Sequence, residues 1–217
     1  MSSEGTKQET IEKLLEAAGE VFAERGFRNA TIREICKRAG VNVAAVNYHF
    51  YDKDGLYSAV LRYAHKCATE KYAPTSGLGD DATAEQKLRA HIRSLLLRMF
   101  DHGRQAWHGK LMSREMTEPT QALDTLVDQQ IRPRHEALKS TLRELLGEHA
   151  TDDQLRSCAW SIVGQCLFYY NAQPVIRRLH PQMTFEPDAV ERIAEHITQF
   201  SLGALREMRA QLEAQPR

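Results

Sequence analysis

The feature that most restricts the fold is a pair of very short helical segments separated by Gly40. Thr31 and Glu34 form a capping-box pattern at the start of the first segment, and Asn42 can cap the second, which covers residues 43–49. Each segment is only about two turns long, and helices of that length are not stable alone because nucleation is costly. We therefore expect both to pack on longer neighbouring helices, with the glycine turn setting them at a steep angle.

Two short helices joined by a glycine turn are typical of the helix-turn-helix, whose second helix enters the major groove of DNA. A plain helical hairpin is the alternative, since short helices with glycine between them are common. The second helix has a thin apolar stripe, in which Val46 and Phe50 can face a core. The other residues, including Ala44 and Ala45, are left to face outward. Small residues permit close approach to a groove, and apolar side chains can contact thymine methyl groups. The pattern favours DNA binding over the hairpin.

Helical periodicity continues through nearly the whole chain, so the predicted fold class is all-α. Ahead of the two short helices, apolar residues at i, i+3, i+4 and i+7 predict a longer helix that Gly26 stops. After them, Asp52 can cap a fourth helix. The stretch Pro74–Asp81 breaks the helical composition and is taken as the module boundary. We predict an N-terminal three-helix DNA-binding domain at residues 6–67 and a C-terminal helical bundle at residues 82–215.

The predicted bundle carries its own boundary signals. Thr83 and Gln86 form a possible capping box, Pro119 suits a first helical turn, and Pro133 is expected to kink or interrupt that helix. Two predicted helices have the clearest apolar stripes. One is the last helix of the chain, and the other is the helix that ends where the proline-punctuated stretch begins. The stripe of the earlier helix consists of Leu155, Cys158, Ala159, Ile162, Val163, Cys166, Leu167 and Tyr170.

The formal net charge of the 217 residues is zero, but the charges are not evenly distributed. Residues 1–24 have a net charge of −4, and residues 25–53 have a net charge of +4. A local field of this kind is hidden in the overall charge. Scattered Arg and Lys usually form a solvated helix face. Here the positive band coincides with the predicted helix-turn-helix, which favours contact with phosphates.

The sequence offers no support for an enzyme. It has no HExxH, Walker or GxSxG motif, and no His, Cys and Asp cluster at metal-ligand spacing, so we predict no catalytic site, metal or cofactor.

The four cysteines lack CxxC spacing and are expected to be reduced and mostly buried. The N-terminal residues do not resemble a signal peptide, and no apolar run reaches the length of a membrane span. We expect a cytoplasmic protein without membrane contact.

The N-terminal residues also carry a family resemblance. Residues 6–67 resemble the N-terminal domain of the TetR family of bacterial transcriptional regulators. The resemblance rests on the ordered segments Phe22-Ala-Glu-Arg-Gly-Phe27, Thr31-Ile-Arg-Glu-Ile35, Ala39-Gly-Val41 and Tyr48-His-Phe50, followed by Lys53 and Leu56. It covers a little under a third of the chain. The rest is similar to the family in its all-helical character.

The resemblance implies a set of DNA contacts. These are Thr31, Arg33, Val43, Ala44, Ala45, Asn47, Tyr48, His49 and Lys53. Asn47 stands where many members have a tyrosine that holds phosphate, so either this contact is lost or the amide reads adenine. Lys53 begins the fourth helix, where its charge and the helix dipole both favour a phosphate.

The resemblance further implies that the C-terminal helices form a ligand pocket and a dimer interface. Residues that could line an apolar effector pocket are Phe100, Trp107, Met112, Met116, Trp160, Phe168, Tyr169 and Asn171. For any one of them, ordinary core packing is the competing interpretation. The two helices with the cleanest stripes are the candidates for a homodimer interface, because reading two half-sites requires a twofold partner.

These expectations describe a ligand-responsive transcriptional regulator that binds a pseudo-palindromic DNA operator as a homodimer. Repression is the expected mode of regulation. The predicted mechanism is a population shift in which an unidentified small-molecule effector favours a conformation with wrongly spaced recognition helices. Two other classes stay open at this point. One is a helical small-molecule binding protein or enzyme without sequence-specific DNA binding, and the other is an interaction module that acts through its long C-terminal helices.

Overall fold

The computed structural model describes residues 3–101 and 107–214, with side chains from residue 7 onward. All regular elements in these ranges are helical, as predicted. The helices are α1 (Ser3–Asn29), α2 (Ile32–Ala39), α3 (Val43–Phe50), α4 (Lys53–Lys71), α5 (Ala84–Met99), α6 (Trp107–Thr117), α7 (Ala122–Leu126), α8 (Arg132–Leu146), α9 (Asp152–Asn171), α10 (Gln173–Leu179) and α11 (Pro187–Ala214). A π-helical turn, Val127–Ile131, precedes α8. None of the helices in the described ranges is long and apolar enough to cross a membrane.

The chain divides into two compact units. The N-terminal unit comprises Met1–Glu70 and Asp101–Gln130, and the C-terminal unit comprises Lys71–Phe100 and Ile131–Arg217. The predicted boundaries, 6–67 and 82–215, do not coincide with these units, and residue 215 lies outside the described residues. The difference arises because Trp107 and Leu111 of α6 are buried in the same core as α1 and α4. The composition break marks a surface segment, but it does not show which core a later helix joins.

The core of the N-terminal unit is formed by α1, the three helices that follow it, and α6. Phe22 of α1 is fully buried, and its ring meets Tyr57 of α4 edge-on at 4.8 Å between centroids. Gly19 lies beneath the indole of Trp107, where an added Cβ would come within 2.3 Å of the ring. This close approach is possible only for glycine, and it allows α6 to pack directly on α1.

Most of the predicted helix boundaries are confirmed. Asn42 accepts a hydrogen bond from the Ala44 amide (2.9 Å), and Asp52 accepts one from the Gly55 amide (2.8 Å). The capping box of Thr83 and Gln86 is complete in both directions. Pro133 lies in the first turn of α8, directly after the π-helical turn, so the helical run is interrupted as expected.

Other boundary predictions need correction. The capping box at Thr31 is only half formed, since the Glu34 carboxylate pairs with Arg25 (2.7 Å). Gly26 interrupts the helical backbone as predicted, with φ of 77° and ψ of 165°, but a helical turn follows it and α1 extends to Asn29. Pro119 precedes α7 instead of opening a helix. The proline-punctuated stretch contains the short helix α10, whose seven residues are too few to show a clear period.

The C-terminal unit is a bundle of α5, α8, α9 and α11 with α10 on its side. Its core includes Leu96, Leu142, Ala159 and Ile197, which are all fully buried. Ion pairs join α5 to α11: Glu85 with Arg206, Arg89 with Glu195, and Arg93 with Glu191. Positions increase along α5 as they decrease along α11 in these pairs, so the two helices are antiparallel.

Candidate nucleic-acid interface

Helix α3 has one buried side and one exposed side. Val46 is fully buried and Phe50 nearly so, and these two side chains fix α3 on the core of the N-terminal unit. The exposed side carries four of the predicted DNA contacts: Val43, Ala44, Asn47 and Tyr48. Ala45 and His49 are half-buried at its edges. The anchoring explains the thin apolar stripe, because two side chains are sufficient to hold a helix of eight residues.

Residues at the start of α2 and the end of α3 extend this exposed surface. Thr31 and Arg33 are both exposed. The Thr31 hydroxyl oxygen accepts a hydrogen bond from the Glu34 amide (3.2 Å), so its proton remains able to donate to a phosphate. The ring of Tyr48 meets the imidazole of His49 edge-on at 4.8 Å between centroids. We use the term reading face for the exposed residues Thr31, Arg33, Val43, Ala44, Asn47 and Tyr48.

The cations near the reading face fall into two groups. Arg38 donates to both oxygens of Glu24 (2.9 and 3.0 Å) and approaches Glu20 (3.4 Å), while Arg25 pairs with Glu34. The donated hydrogen bonds hold the pKa of Glu24 below its ordinary value. The acidic and basic bands of the sequence thus partly neutralise each other between α1 and α2. Arg28, Arg33 and Lys37 are exposed and form no ion pair within the described residues.

Lys53 differs from the expected phosphate contact. Its ammonium donates to the carbonyl oxygens of Phe27 (3.0 Å), Ala30 (3.3 Å) and Arg28 (3.5 Å), and it lies 4.5 Å from the centroid of the Phe27 ring. An ammonium has three hydrogen-bond donors, and three carbonyl oxygens occupy them here. In this conformation the side chain holds the C-terminal end of α1.

Two residues near the reading face were missed in the sequence. Tyr51, at the C-terminal end of α3, is 87% exposed and has φ of 70°, an unusual backbone conformation for a residue other than glycine. No sequence signal predicts positive φ at a tyrosine. The ammonium of Lys7 lies 5.6 Å from the Tyr48 ring centroid. This proximity is not visible in the sequence, because the two residues are far apart in the chain.

The residues predicted to line an effector pocket are not brought together within either unit. Trp107, Met112 and Met116 belong to the N-terminal unit, with Trp107 buried and Met116 exposed. The other five belong to the C-terminal unit: Phe100, Trp160, Phe168, Tyr169 and Asn171. Of these, Phe100 is buried and Tyr169 half-buried, whereas Trp160, Phe168 and Asn171 are exposed. The helical period marks the apolar side of a helix, but it does not show whether a large side chain on another side is covered by a neighbouring helix.

The geometry of the N-terminal unit suits contact with duplex DNA. A helix anchored by two buried residues exposes small, amide and aromatic side chains, and cations that form no ion pair with any described residue lie on the neighbouring elements. Phosphates can be held by the cations while the small residues approach base edges. A group of three or more His, Cys, Asp or Glu side chains that could hold a metal ion is absent from the described residues. The fold and this surface define a helix-turn-helix DNA-binding protein.

Comparison with known proteins identifies the family. Residues 14–60 match the model of bacterial regulatory proteins of the tetR family. Residues 84–205, more than half of the chain, match the C-terminal domain of the HTH-type transcriptional dual regulator CecR. The chain therefore belongs to the TetR family of transcriptional regulators, with a C-terminal domain of the CecR type. The resemblance found in residues 6–67 is confirmed, and the regulator is favoured over the enzyme and carrier alternatives.

Individual relatives agree with this assignment. The dual regulator CecR of Shigella flexneri is 28% identical over 199 residues, which cover 88% of this chain and 89% of that protein. A solved structure from Pseudomonas aeruginosa PAO1 has 22% identity, a TM-score of 0.65 and 96% coverage of both chains. The structure of AibR with isovaleryl coenzyme A and operator DNA has 19% identity and a TM-score of 0.64, covering 88% of this chain and 97% of that one. At these identities the two structures show a shared fold.

Proposed function

We propose that this regulator acts as a cytoplasmic homodimer, and in the first instance as a repressor, on a pseudo-palindromic operator. The observation that carries the proposal is the reading face. Helix α3 exposes Val43, Ala44, Asn47 and Tyr48, and it is flanked by exposed cations without ion pairs in the described ranges. Arg33 and Lys37 of α2 and Arg28 of α1 would hold phosphates on either side of the groove that α3 enters.

The N-terminal residues of α3 would read bases. Val43 and Ala44 can contact thymine methyl groups, and Asn47 can donate to and accept from an adenine edge. Tyr48 and Thr31 would contact the backbone, and Ala45 and His49 would pack beneath these contacts. Lys53 would act indirectly, by holding the end of α1 from which α2 begins.

Dimerisation would use the exposed faces of α9 and α11. On α9, Trp160, Gly164 and Phe168 are exposed at i, i+4 and i+8, and on α11 Phe200 and Gly203 are exposed. The three aromatic side chains are 56%, 62% and 63% exposed, which is unusual for rings of this size. The two glycines have open space where a Cβ would lie, so a partner helix could approach closely. A second copy presenting the same residues would complete a four-helix bundle.

We further propose that an effector binds in the C-terminal unit near a cluster of aromatic side chains. Phe100 stacks on Phe185 at 5.1 Å and meets Tyr170 edge-on at 5.4 Å, and burial raises the pKa of Tyr170 to about 12. AibR was solved with an acyl coenzyme A and operator DNA, which supports the idea that this fold can serve both functions. Effector binding would shift the population away from the DNA-binding conformation.

Within the N-terminal unit, α6 is tied to the helices that position the reading face. Tyr57 of α4 donates to the buried carboxylate of Glu115 (2.6 Å), which also accepts from the amide and hydroxyl of Thr120 (2.8 and 2.9 Å). Arg114 donates to the carbonyl oxygens of Ala23 (3.1 Å) and Glu24 (3.2 Å) in α1. A movement of α6 would therefore displace α1 and α4 together.

The proposal is tested by selecting binding sites from random duplex DNA at two salt concentrations and then measuring the affinity of variants. We expect a palindromic consensus. Arg33→Gln and Lys37→Gln should each weaken operator binding by about fivefold to tenfold and lower the salt slope by about one, because each removes one phosphate contact.

Arg192→Gln is the matched control, since Arg192 is an exposed arginine of α11 that forms no ion pair in the part of the chain described. This substitution should leave the operator affinity and its salt slope unchanged. Binding without a consensus sequence, or equal effects of all three substitutions, would refute the operator assignment. A transcription assay with the selected operator distinguishes repression from the activation that the name of the dual regulator CecR suggests.

A further inference from the structure

A cleft of about 630 Å³ lies in the N-terminal unit beside the bend of α1. Its walls are residues 25–29 at the end of α1, Tyr57 of α4, Arg114 and Thr117 near the end of α6, and the turn that follows. Small-molecule sites in proteins usually have volumes of about 300 to 1,000 Å³. Neither the predicted effector residues nor the reading face contributes to its lining.

The charged groups around the cleft favour an anion. Arg25, Arg28 and Arg114 line it, against the single carboxylate of Glu118. Arg25 is paired with Glu34, and Arg114 donates to carbonyl oxygens of α1. Arg28 is exposed and has no ion pair or side-chain hydrogen bond among the residues described. Its guanidinium can therefore pair with a carboxylate or phosphate in bidentate geometry.

The apolar part of the lining consists of two aromatic residues and a proline. Phe27 and Tyr57 have ring centroids 4.9 Å apart and planes tilted by 53°, and Pro119 also lines the cleft. The Tyr57 hydroxyl is occupied by its hydrogen bond to Glu115 and its ring is only 3% exposed, so Tyr57 forms the floor of the cleft and the half-buried ring of Phe27 is the part that remains available to a ligand. A ligand that fills the cleft needs an apolar body as well as a charged group.

The cleft is formed before any ligand binds. Tyr57 is held by Glu115, and Arg114 is held by two carbonyl oxygens. At Gly26, which has positive φ, an added Cβ would lie 3.0 Å from Nη1 of Arg114. Since these groups are already fixed, ligand binding would require little ordering of the protein.

We propose that this cleft is a small-molecule site for a small organic anion, whose charged group pairs with Arg28 and whose apolar body lies on Phe27 and Pro119. The regulatory consequence rests on the proposed function. Arg28 is one of three exposed cations assigned to operator phosphates, so an anion bound to it would weaken operator binding. The site lies in the DNA-binding unit and is distinct from the effector site proposed in the C-terminal unit.

The site is tested without DNA by amide NMR titrations at constant ionic strength. Three probes are compared. Benzoate carries both a charge and an aromatic body, inorganic phosphate carries the charge alone, and benzyl alcohol carries the aromatic body alone. Benzoate should shift the signals of residues 26–29, 117 and 120 in a saturable way, with the other two probes binding about tenfold more weakly. Equal responses to all three probes, or benzoate shifts that spare residues 26–29, 117 and 120, would overturn the proposal.

Variants at one position complete the test. Arg28→Gln should weaken benzoate binding by about tenfold, Arg28→Lys should retain much of it, and Arg192→Gln should have no effect. With operator DNA present, benzoate should lower the affinity of the protein more than an equal concentration of chloride, and Arg28→Gln should abolish this difference. Saturable binding of benzoate by a protein that selects no operator supports the site and refutes the proposed function. Operator binding without a benzoate response in NMR refutes the site alone.

Discussion

Six basic side chains lie between residues 25 and 53, and the structure uses them in three different ways. Arg25 and Arg38 pair with glutamates, and Lys53 binds carbonyl oxygens. Arg28, Arg33 and Lys37 are exposed without ion pairs within the described ranges. The sequence predicts the positive band correctly. The sequence does not predict which of these cations are paired and which are free of ion pairs within the described ranges, because the partner of each cation depends on which neighbouring helix it faces.

A prediction at the scale of one residue concerns His91 of α5. Burial, assisted by the charge of Arg98, lowers the pKa of His91 to about 4. Between that pH and about 6.5 the unfolded chain binds a proton that the folded chain does not, so stability is lost as the pH falls through this window. We expect the free energy of unfolding to fall by about 2 kcal/mol between pH 6.5 and pH 5 from this group.

Urea unfolding at several pH values measures this contribution. His91→Leu should show a pH dependence smaller by that amount, whereas His149→Leu, at an exposed position, should retain the dependence of the unsubstituted protein. An identical pH dependence for His91→Leu would show that the imidazole is not kept neutral by its surroundings.

At the scale of elements, the C-terminal end of α1 illustrates how short helices are positioned. Gly26 bends α1, and carbonyl oxygens around the bend accept hydrogen bonds from Arg114, at Ala23, and from Lys53, at Phe27. Helices α2 and α3 have eight residues each and depend on this end of α1 for their position. The capping residues of α2 and α3 were predictable because a cap acts within a few residues, whereas the two cations come from distant positions.

This arrangement predicts that Lys53 is needed for stability. Lys53→Met should lower the free energy of unfolding by about 1 to 3 kcal/mol, because it removes charged hydrogen bonds to carbonyl oxygens and a cation–π contact. Thermal unfolding measures this loss. Lys37→Met should leave the unfolding temperature unchanged and instead lower the salt slope of operator binding. Lys53→Met could instead leave the unfolding temperature unchanged and reduce the salt slope of operator binding. That result would show that Lys53 contacts a phosphate.

At the scale of the whole molecule, the exposed rings of α9 and α11 stand out, because a monomer would leave them in water. The apolar stripe predicted for α9 is confirmed on its buried side, where Leu155, Ala159 and Cys166 lie in the core. The second side, with Trp160 and Phe168, was assigned to a ligand pocket in the sequence. The structure places these rings on the surface, and we infer that a second copy covers them.

Gly164 provides the sharpest test of the dimer. An added side chain there meets open space within the protomer, and leucine is a better helix former than glycine by about 0.8 kcal/mol. Gly164→Leu should therefore leave the protomer folded while it weakens the dimer by about tenfold to a hundredfold, since a partner helix would be overpacked. Sedimentation at micromolar concentration measures the change, and operator affinity should fall with it.

Lys13→Leu, at an exposed position of α1, is the control and should sediment as the unsubstituted protein does. A dimer of unchanged strength in Gly164→Leu would place the interface elsewhere.

The sequence by itself determined the all-α class, most of the helix boundaries, the helix-turn-helix and the family. These features depend on periodicity and caps, which act over a few residues, and on motifs that are contiguous in the chain. Only the tertiary structure decided that α6 belongs to the N-terminal unit, that Lys53 holds α1, that the predicted pocket residues are divided between the two units, and that a cleft lies beside Gly26. Each of these depends on which surfaces of distant helices meet, and the apolar period of a helix marks its buried side without showing which other helix covers it.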